Sequence, residues 1–92
     1  MQIRILTAAD VRAALPMPRA IEAMKLAFSQ FSSGEAAVPL RGRLSTDKGV
    51  TLLMPAFLKR SRDLAVKVVS VFGDNRSLGL PTVSALVIRS IF

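Results

Sequence analysis

Hydrophobic residues recur with two different periods along this chain. Ile21, Met24, Phe28 and Phe31 are spaced three or four residues apart, which is typical of one face of a helix. After Gly34 the apolar residues form short alternating runs, which are typical of strands. This order predicts an α+β fold, in which two N-terminal helices pack on a mostly antiparallel or mixed sheet of about four strands.

Local signals set the limits of the two predicted helices. Thr7 and Asp10 form a short capping box, which also favours the helix dipole. Pro16 ends the first helix, because a proline pushes the preceding residue out of helical geometry. Pro18 begins the second helix at its first position, where a missing N–H costs nothing, and Gly34 can form its left-handed C-cap. We interpret the Met/Phe stripe of this helix as core packing rather than as a ligand pocket.

Four strands are predicted after the helices, at residues 38–44, 50–54, 64–72 and 82–88. Pro39 places the start of the first strand at an edge, and Pro55 is expected to end the second. Asp47-Lys48-Gly49 is a turn signal between them. Residues 73–79 are expected to form a loop.

The length of 92 residues predicts a single domain over residues 1–92. A domain of this size buries little of its surface, yet 51% of the residues are apolar. We therefore expect some apolar surface to face a partner, and a homo-oligomer, such as a dimer, is one candidate. The absence of Cys and His excludes disulfides, zinc fingers, Cys nucleophiles and Ser–His catalysis, and the lack of Cys fits a cytoplasmic protein. Neither a signal peptide nor a membrane span is evident, so we expect no membrane partner.

The net charge of +7 raises the question of nucleic-acid binding. The basic residues are scattered, and their one cluster is Lys59-Arg60-Ser61-Arg62 in a predicted loop. No basic–aromatic alternation forms a platform for base stacking. A basic module for nucleic acid is therefore the weaker alternative to a solvated basic surface.

Lys67 lies in the middle of the apolar run 64–72. Both faces of this run are apolar, so we expect a central strand covered on both sides, with Lys67 among Ala and Val side chains. A buried ammonium is costly unless it is paired or neutralised. Three interpretations stay open: the ammonium reaches water from near the rim, it pairs with Asp63 or Asp74, or it binds an anionic ligand.

Arg41 is a second candidate for the same ligand. It lies in the predicted strand 38–44, with Arg43 on the same face, and arginine suits bidentate binding of a carboxylate. An Arg–Lys pair on neighbouring strands would form a small-anion site. No paired carboxylates accompany it, so no residue is assigned as catalytic. Gly73 and Gly79 do not form a dinucleotide-binding fingerprint.

Five segments, taken in order, resemble the amino-terminal part of the ornithine cyclodeaminase/μ-crystallin family: ILTAADV, PLR, LLMPAFL, VKVVSVFGDN and GLPTVSALVI. The resemblance covers about residues 5–88 and rests on the combination, since each segment alone is weak. That family includes cyclodeaminases (lyases) and oxidoreductases of amino-acid metabolism, such as alanine dehydrogenases and ketimine reductases.

The resemblance implies a substrate-binding and dimerisation domain, split in sequence around a Rossmann domain that binds NAD or NADP. It implies that Arg41 and Lys67 hold the α-carboxylate of a small amino or imino acid, which favours the ligand interpretation of Lys67. It also implies that Thr82 lies by the cofactor. From the residues alone, Thr82 is better explained as a β-former at the start of a strand.

Two substitutions depart from the family pattern. Ornithine cyclodeaminases are similar in carrying an acidic residue two positions before the Met-Pro pair, where it suits a second amine. This chain has Leu52 there, so a smaller or less basic substrate than ornithine is expected. Gly73-Asp74-Asn75 replaces the usual Pro-Gly-Asn within a turn, and we expect this change to be tolerated.

The family also continues beyond the point where this sequence ends. A further substrate-binding arginine, the Gly-rich unit and the catalytic aspartate would follow Phe92. We therefore expect an N-terminal fragment that contains no Rossmann domain, binds no cofactor by itself and has no turnover of its own. A stand-alone homo-oligomeric structural module is the alternative.

Overall fold

The computed structural model describes residues 2–91 and confirms an α+β fold. Its elements in chain order are α1 (Ala8–Ala14), α2 (Met17–Ser32), β1 (Ala36–Ala37), β2 (Gly42–Ser45), β3 (Gly49–Leu58), β4 (Asp63–Phe72), a 3-10 helix (Gly73–Leu78) and β5 (Val83–Ile91). The region predicted as a loop before β5 is thus mostly the 3-10 helix. No helix of the described chain is long and apolar enough to cross a bilayer.

The ends of both helices follow from local sequence. The Thr7 backbone N–H donates to Asp10 Oδ2 at 2.9 Å, and the Asp10 N–H donates to Thr7 Oγ1 at 3.2 Å, so the predicted capping box is confirmed. Helix α2 begins at Met17, one residue before the expected start, and Pro18 occupies its second position. Gly34 has a φ of +79°, which confirms the left-handed turn after α2.

All the strands pair antiparallel in one five-stranded sheet. The order is β1-β3-β4-β5, and β2 pairs with β3 as well. A turn joins β3 to β4 and the short 3-10 helix joins β4 to β5, so no α-helix crosses between the described strands. The predicted absence of a Rossmann unit from the chain agrees with this topology for residues 2–91.

The prediction of a single strand over residues 38–44 was wrong. The structure places β1 before this range and β2 at its end, and residues 38–41 belong to no strand. The split explains why the sheet has five strands rather than about four. Pro39 has no N–H to donate to a ladder, which favours a break there.

The prediction that Pro55 ends a strand was also wrong, because β3 continues through it to Leu58. Pro55 pairs with Val66 of β4 on one side. On the other side, β1 pairs with Phe57 and Leu58, and β2 starts at the partner of Leu53. Pro55 therefore lies at a gap between two short strands, where a ladder does not need its missing N–H.

The antiparallel register sorts the strand residues onto two faces, because directly opposed side chains point the same way. We define the charged face as the one that carries Lys67, together with Arg43, Asp63 and Arg89. The neutral face comprises residues 37, 42 and 44, odd residues 49–57, and even residues 64–72 and 84–90. Within the described strands, the neutral face holds no Lys, Arg, Asp or Glu.

Helix α2 covers one end of the charged face. Met24, Phe28 and Phe31 line a cavity of about 410 Å³ with Ala56 and Ala65 of the sheet. The tip of the β3–β4 hairpin fastens the C-terminal end of α2 by two contacts. Lys59 Nζ donates to the Gly34 carbonyl at 3.2 Å, and Arg60 Nη2 pairs with Glu35 Oε1 at 2.8 Å.

No side chain among residues 2–90 is fully buried. Strand β4 is central, as predicted, but the expectation that it is covered on both sides was wrong. Its apolar residues are half-buried, and Lys67 is exposed. The reason is geometric, since one helix at one end of one face cannot cover a sheet of this width.

Candidate carboxylate-binding site

Lys67 projects from the centre of the charged face into solvent. It lies between Met54 of β3 and Val87 of β5, its direct partners on the two sides. Exposure lets the ammonium keep its hydration, so the penalty expected for a buried cation does not arise. The predicted burial of Lys67 is thereby corrected, while its position among apolar neighbours is as expected.

The structure decides against one of the three interpretations of Lys67. Asp63 Oδ1 accepts hydrogen bonds from Arg89 Nη2 at 2.6 Å and Nε at 3.0 Å, so Asp63 is engaged elsewhere. The salt bridges within residues 2–91 are Lys25–Glu22, Arg60–Glu35 and Arg89–Asp63. Lys67 has no ion-pair partner in this part of the chain, and an ammonium that reaches water is also one that can meet an anion.

The Asp63–Arg89 pair was missed by the sequence analysis. The hydroxyl of Ser61 and the guanidinium of Arg89 lower the pKa of Asp63 below its usual range, so this carboxylate stays ionised. Arg89 in turn compensates its negative charge. Because Asp63 is the one acidic residue of the charged face, the surroundings of Lys67 are left positive. The two residues are 26 positions apart in the sequence, and only the β4–β5 register shows that they are neighbours.

Arg41 does not lie in a strand as predicted. It is exposed and immediately precedes Gly42, which opens β2 and pairs with Leu53. If the β2–β3 register continued by one residue, Arg41 would lie opposite Met54, which pairs with Lys67. A shared site of Arg41 and Lys67 stays a prediction.

Arg43 is a further cation of the charged face. It lies in β2 opposite Leu52, and its Nε donates to Ser45 Oγ at 3.1 Å. The expectation that Arg41 and Arg43 share one face of a strand is not met, because Arg41 lies outside β2. Long cationic side chains at the centre and one edge of the same face can converge on a small anion between them.

Thr82 lies apart from the two cations. It precedes β5, and its carbonyl accepts a hydrogen bond from the Phe72 N–H at 2.9 Å. Phe72 is five residues from Lys67 along β4, which corresponds to about 16 Å. A small carboxylate cannot span this separation, whereas a larger second ligand beside the first could. A cofactor contact at Thr82 remains a prediction.

Chemically, the exposed cations Arg43 and Lys67 of the charged face, with Arg41 just before β2, are suited to binding an anion. Lysine offers three donors and arginine a planar fork, both complementary to a carboxylate. The nearest acid on this face, Asp63, is tied to Arg89. These side chains can hold and orient an anion on the charged face.

Two cations of the basic cluster at residues 59–62 contact the end of helix α2. Of its cations, Lys59 and Arg60 are engaged by Gly34 and Glu35 at the end of α2. Arg62 has a φ of +60° in the tight turn that joins β3 to β4. These contacts use two of its three cations to fasten a helix, which weakens the nucleic-acid alternative.

Comparison with known sequences gives a match over nearly the whole chain. Residues 1–90 match the model of the Ornithine cyclodeaminase/mu-crystallin family. A Delta(1)-pyrroline-2-carboxylate reductase of Bacillus cereus is 30% identical over 90 residues, which cover 96% of this chain and 28% of the reductase. An alanine dehydrogenase of Archaeoglobus fulgidus is 36% identical over 88 residues, covering 96% of this chain and 27% of that enzyme.

Two solved structures share the fold. The first is Thermococcus litoralis Delta(1)-pyrroline-2-carboxylate reductase in complex with NADH and L-proline, with a TM-score of 0.86 and 36% identity over 94% of this chain. The second is an archaeal alanine dehydrogenase dimer with bound NAD, with a TM-score of 0.85 and 34% identity, again over 94% of this chain. This chain spans 27% and 26% of their lengths, respectively.

Proposed function

The chain belongs to the Ornithine cyclodeaminase/mu-crystallin family, and on this premise we propose that it is the amino-terminal, substrate-binding and dimerisation part of an NAD(P)-dependent enzyme. The proposed substrate is a small amino or imino acid. The observation that carries the proposal is the exposed Lys67 among apolar neighbours. Arg41, which immediately precedes β2, is the proposed second cation. A cation held in this way is matched to the carboxylate of such a substrate.

In the proposed mechanism, Lys67 and Arg41 bind the α-carboxylate and fix the position of the α-carbon next to it. The apolar neighbours Met54 and Val87 pack against the substrate's carbon chain and exclude water from it. Nicotinamide, when bound, supplies the hydride chemistry. Thr82 is the residue of this chain proposed to face the cofactor, and its distance from Lys67 leaves room for a substrate between them.

The residues around the site favour a small, weakly basic substrate. Leu52 lies on the charged face between Arg43 and Val69, two residues from Met54. An apolar side chain here offers no partner to a second amine, and three nearby cations would repel one. The names of the two relatives, a pyrroline-2-carboxylate reductase and an alanine dehydrogenase, are in keeping with this preference.

We further propose that the 92-residue chain binds a carboxylate and forms a homodimer, but turns over no substrate by itself. The support is its coverage of about a quarter of the related enzymes and its lack of a Rossmann topology in residues 2–91. The related alanine dehydrogenase is itself a dimer. A cytoplasmic location remains part of this proposal.

The test is a chimera in which residues 1–90 replace the matching part of the Thermococcus litoralis reductase. We expect the chimera to oxidise NADH with Δ1-pyrroline-2-carboxylate, and Lys67→Met to lower its kcat/KM about 100-fold, since the carboxylate loses a charged partner. Lys48→Met, at an exposed turn lysine, is the matched control and should retain activity. A folded chimera that binds NADH without turnover, or full activity in Lys67→Met, would contradict the proposal.

A further inference from the structure

Within residues 2–91, two cations on the strands of the charged face have no acidic partner. The charge of Arg89 is compensated by Asp63, to which its Nη2 donates at 2.6 Å. Arg43 and Lys67 take part in none of the salt bridges of this part of the chain. The single α-carboxylate of the proposed substrate would balance the charge of Lys67 and leave that of Arg43 unbalanced.

The register of the sheet fixes the distance between these two cations. Arg43 lies opposite Leu52 of β3, Leu52 lies opposite Val69 of β4, and Val69 is two residues from Lys67 on the same face. Two strand spacings across the sheet and two residues along a strand separate the backbones of Arg43 and Lys67 by about 12 Å. Both side chains are exposed. A ligand with a few carbon atoms between two anionic groups can therefore contact both of them.

The surface between the two cations is apolar. Leu52 and Val69 lie side by side next to Arg43, and Met54 lies beside Lys67. All three apolar side chains are half-buried, and none of them carries a charge. The ligand that complements this surface has an aliphatic middle and a charged group at each end.

A hydrogen bond within β2 orders the guanidinium of Arg43. Its Nε donates to Ser45 Oγ at 3.1 Å, and Ser45 lies two residues further along the same face of the strand. Within the described chain this is the hydrogen bond that the Arg43 side chain makes, so Nη1 and Nη2 stay available to a ligand. A planar guanidinium that is already ordered loses less freedom on binding and is suited to a carboxylate.

We propose that Arg43 binds a second carboxylate of the substrate, so that the substrate is an amino or imino acid with an acidic side chain. The inference rests on the proposed function, because Lys67 has to hold the α-carboxylate for the side chain to reach Arg43. Two carboxylates balance both free cations of the charged strands, whereas a neutral side chain balances one. A side chain that ends in an amine is repelled by the same guanidinium.

L-Glutamate and L-glutamine are matched probes for this proposal. The two amino acids have the same length and shape, and they differ in the charge of the group at the end of the side chain. Titration of the 92-residue chain, followed through its backbone NMR signals, gives a dissociation constant for each. We expect L-glutamate to bind about tenfold more tightly, because it makes a charge-assisted hydrogen bond to Arg43. Equal affinities would overturn the proposal and leave the carboxylate site at Lys67 intact.

Arg43→Met removes the proposed partner of the second carboxylate. Arg43 is exposed, so the variant should keep its fold. We expect the affinity for L-glutamate to fall about tenfold, to that for L-glutamine, and the affinity for L-glutamine to stay unchanged. Lys67→Met should instead weaken the binding of both amino acids. If Arg43→Met weakens both amino acids equally, Arg43 does not recognise the side chain and the proposal is wrong.

An exchange of Arg43 and Leu44 separates this contact from the general attraction of anions to a basic chain. The two residues are neighbours in β2 and lie on opposite faces of the sheet. The double variant Arg43→Leu/Leu44→Arg moves the cation to the neutral face and keeps the net charge of +7. We expect the preference for L-glutamate to disappear, and a preference that persists would overturn the proposal. If the unaltered chain binds neither amino acid, the carboxylate site of the proposed function fails too, which distinguishes the two failures.

Discussion

The two faces of the sheet are made by the same strands yet differ completely in chemistry. The charged face carries Arg43, Asp63, Lys67 and Arg89, and α2 covers one of its ends. The neutral face carries apolar residues and the hydroxyls of Thr51, Ser70 and Ser84, with no charge in its described strands. The difference indicates that an anion can be bound on one side of the sheet only.

The separation of tasks depends on the register of the sheet. Successive residues of a strand point to opposite faces, so Lys67 and its neighbour Val68 belong to different surfaces although they adjoin in sequence. A slip of one residue between β3 and β4 would move Lys67 onto the neutral face. The ten residue pairs between β3 and β4 fix this register, and with it the composition of both faces.

The largest difference between the two faces is expected when a carboxylate is introduced on each face in turn. Val68→Asp and Val69→Asp change adjacent, half-buried residues of β4. We expect Val68→Asp to lower the free energy of unfolding by about 3 kcal/mol, because its charge has no partner on the neutral face. Val69→Asp lies near Lys67 and should cost clearly less, about 1 kcal/mol. Urea denaturation measures both, and equal costs would contradict a chemical difference between the faces.

Glycine substitutions sharpen the same comparison within the neutral face. A Cβ at Gly49 would run into the Val71 carbonyl and would lie 2.6 Å from the Phe72 ring. We expect Gly49→Ala to lower the free energy of unfolding by about 2 kcal/mol, since backbone has to move. At Gly42 a Cβ would lie 3.5 Å from Leu53 Cβ, an ordinary contact. Gly42→Ala is therefore the control, and a cost as large as that of Gly49→Ala would contradict the close packing assigned to Gly49.

Between the two faces, acid should affect only the charged one, and it should destabilise the protein less than the substitutions above. Contacts with Ser61 and Arg89 lower the pKa of Asp63 from its ordinary value of 3.8. A lowered pKa in the folded state adds stability that is complete above 3.8 and is lost as the pH falls through the folded value. Thermal unfolding should thus show a modest loss of stability below that pH, and Asp63→Asn should reduce it.

Asp10 accounts for the part of this loss that remains in Asp63→Asn. The hydrogen bond from the Thr7 backbone N–H lowers its pKa as well, with the same sign of effect. Asp10 belongs to α1 and to neither face of the sheet. If Asp63→Asn leaves the acid loss unchanged, the Asp63–Arg89 pair does not support the charged face as described.

What the sequence predicted well depends on neighbours along the chain. The capping box of Thr7 and Asp10, the left-handed Gly34 and the turn at residues 47–49 are all local, and the structure confirms them. The antiparallel α+β class followed from the order of the elements. Lys67 was singled out because a cation interrupts an apolar run, and its place at the centre of the sheet agrees with that.

What the sequence predicted poorly depends on pairing between distant segments. Pro55 was expected to end a strand, and only the gap between β1 and β2 shows how it continues. The exposure of Lys67 depends on how little of the sheet α2 covers. The pair Asp63–Arg89 joins residues 26 positions apart, whose proximity is set by the β4–β5 register. A period of two in the sequence shows which strand residues share a face of the sheet. It does not show which of the two faces a helix covers.

The central claim, that Lys67 binds a substrate carboxylate, is tested most directly by titrating the 92-residue chain with L-proline and following its backbone and lysine side-chain NMR signals. We predict saturable shifts centred on Met54, Lys67 and Val87, and their loss in Lys67→Met. Because Lys67 is exposed and unpaired within the described chain, that variant should keep its stability to within about 0.5 kcal/mol. Shifts that persist in Lys67→Met, or that centre on the neutral face, would contradict the claim.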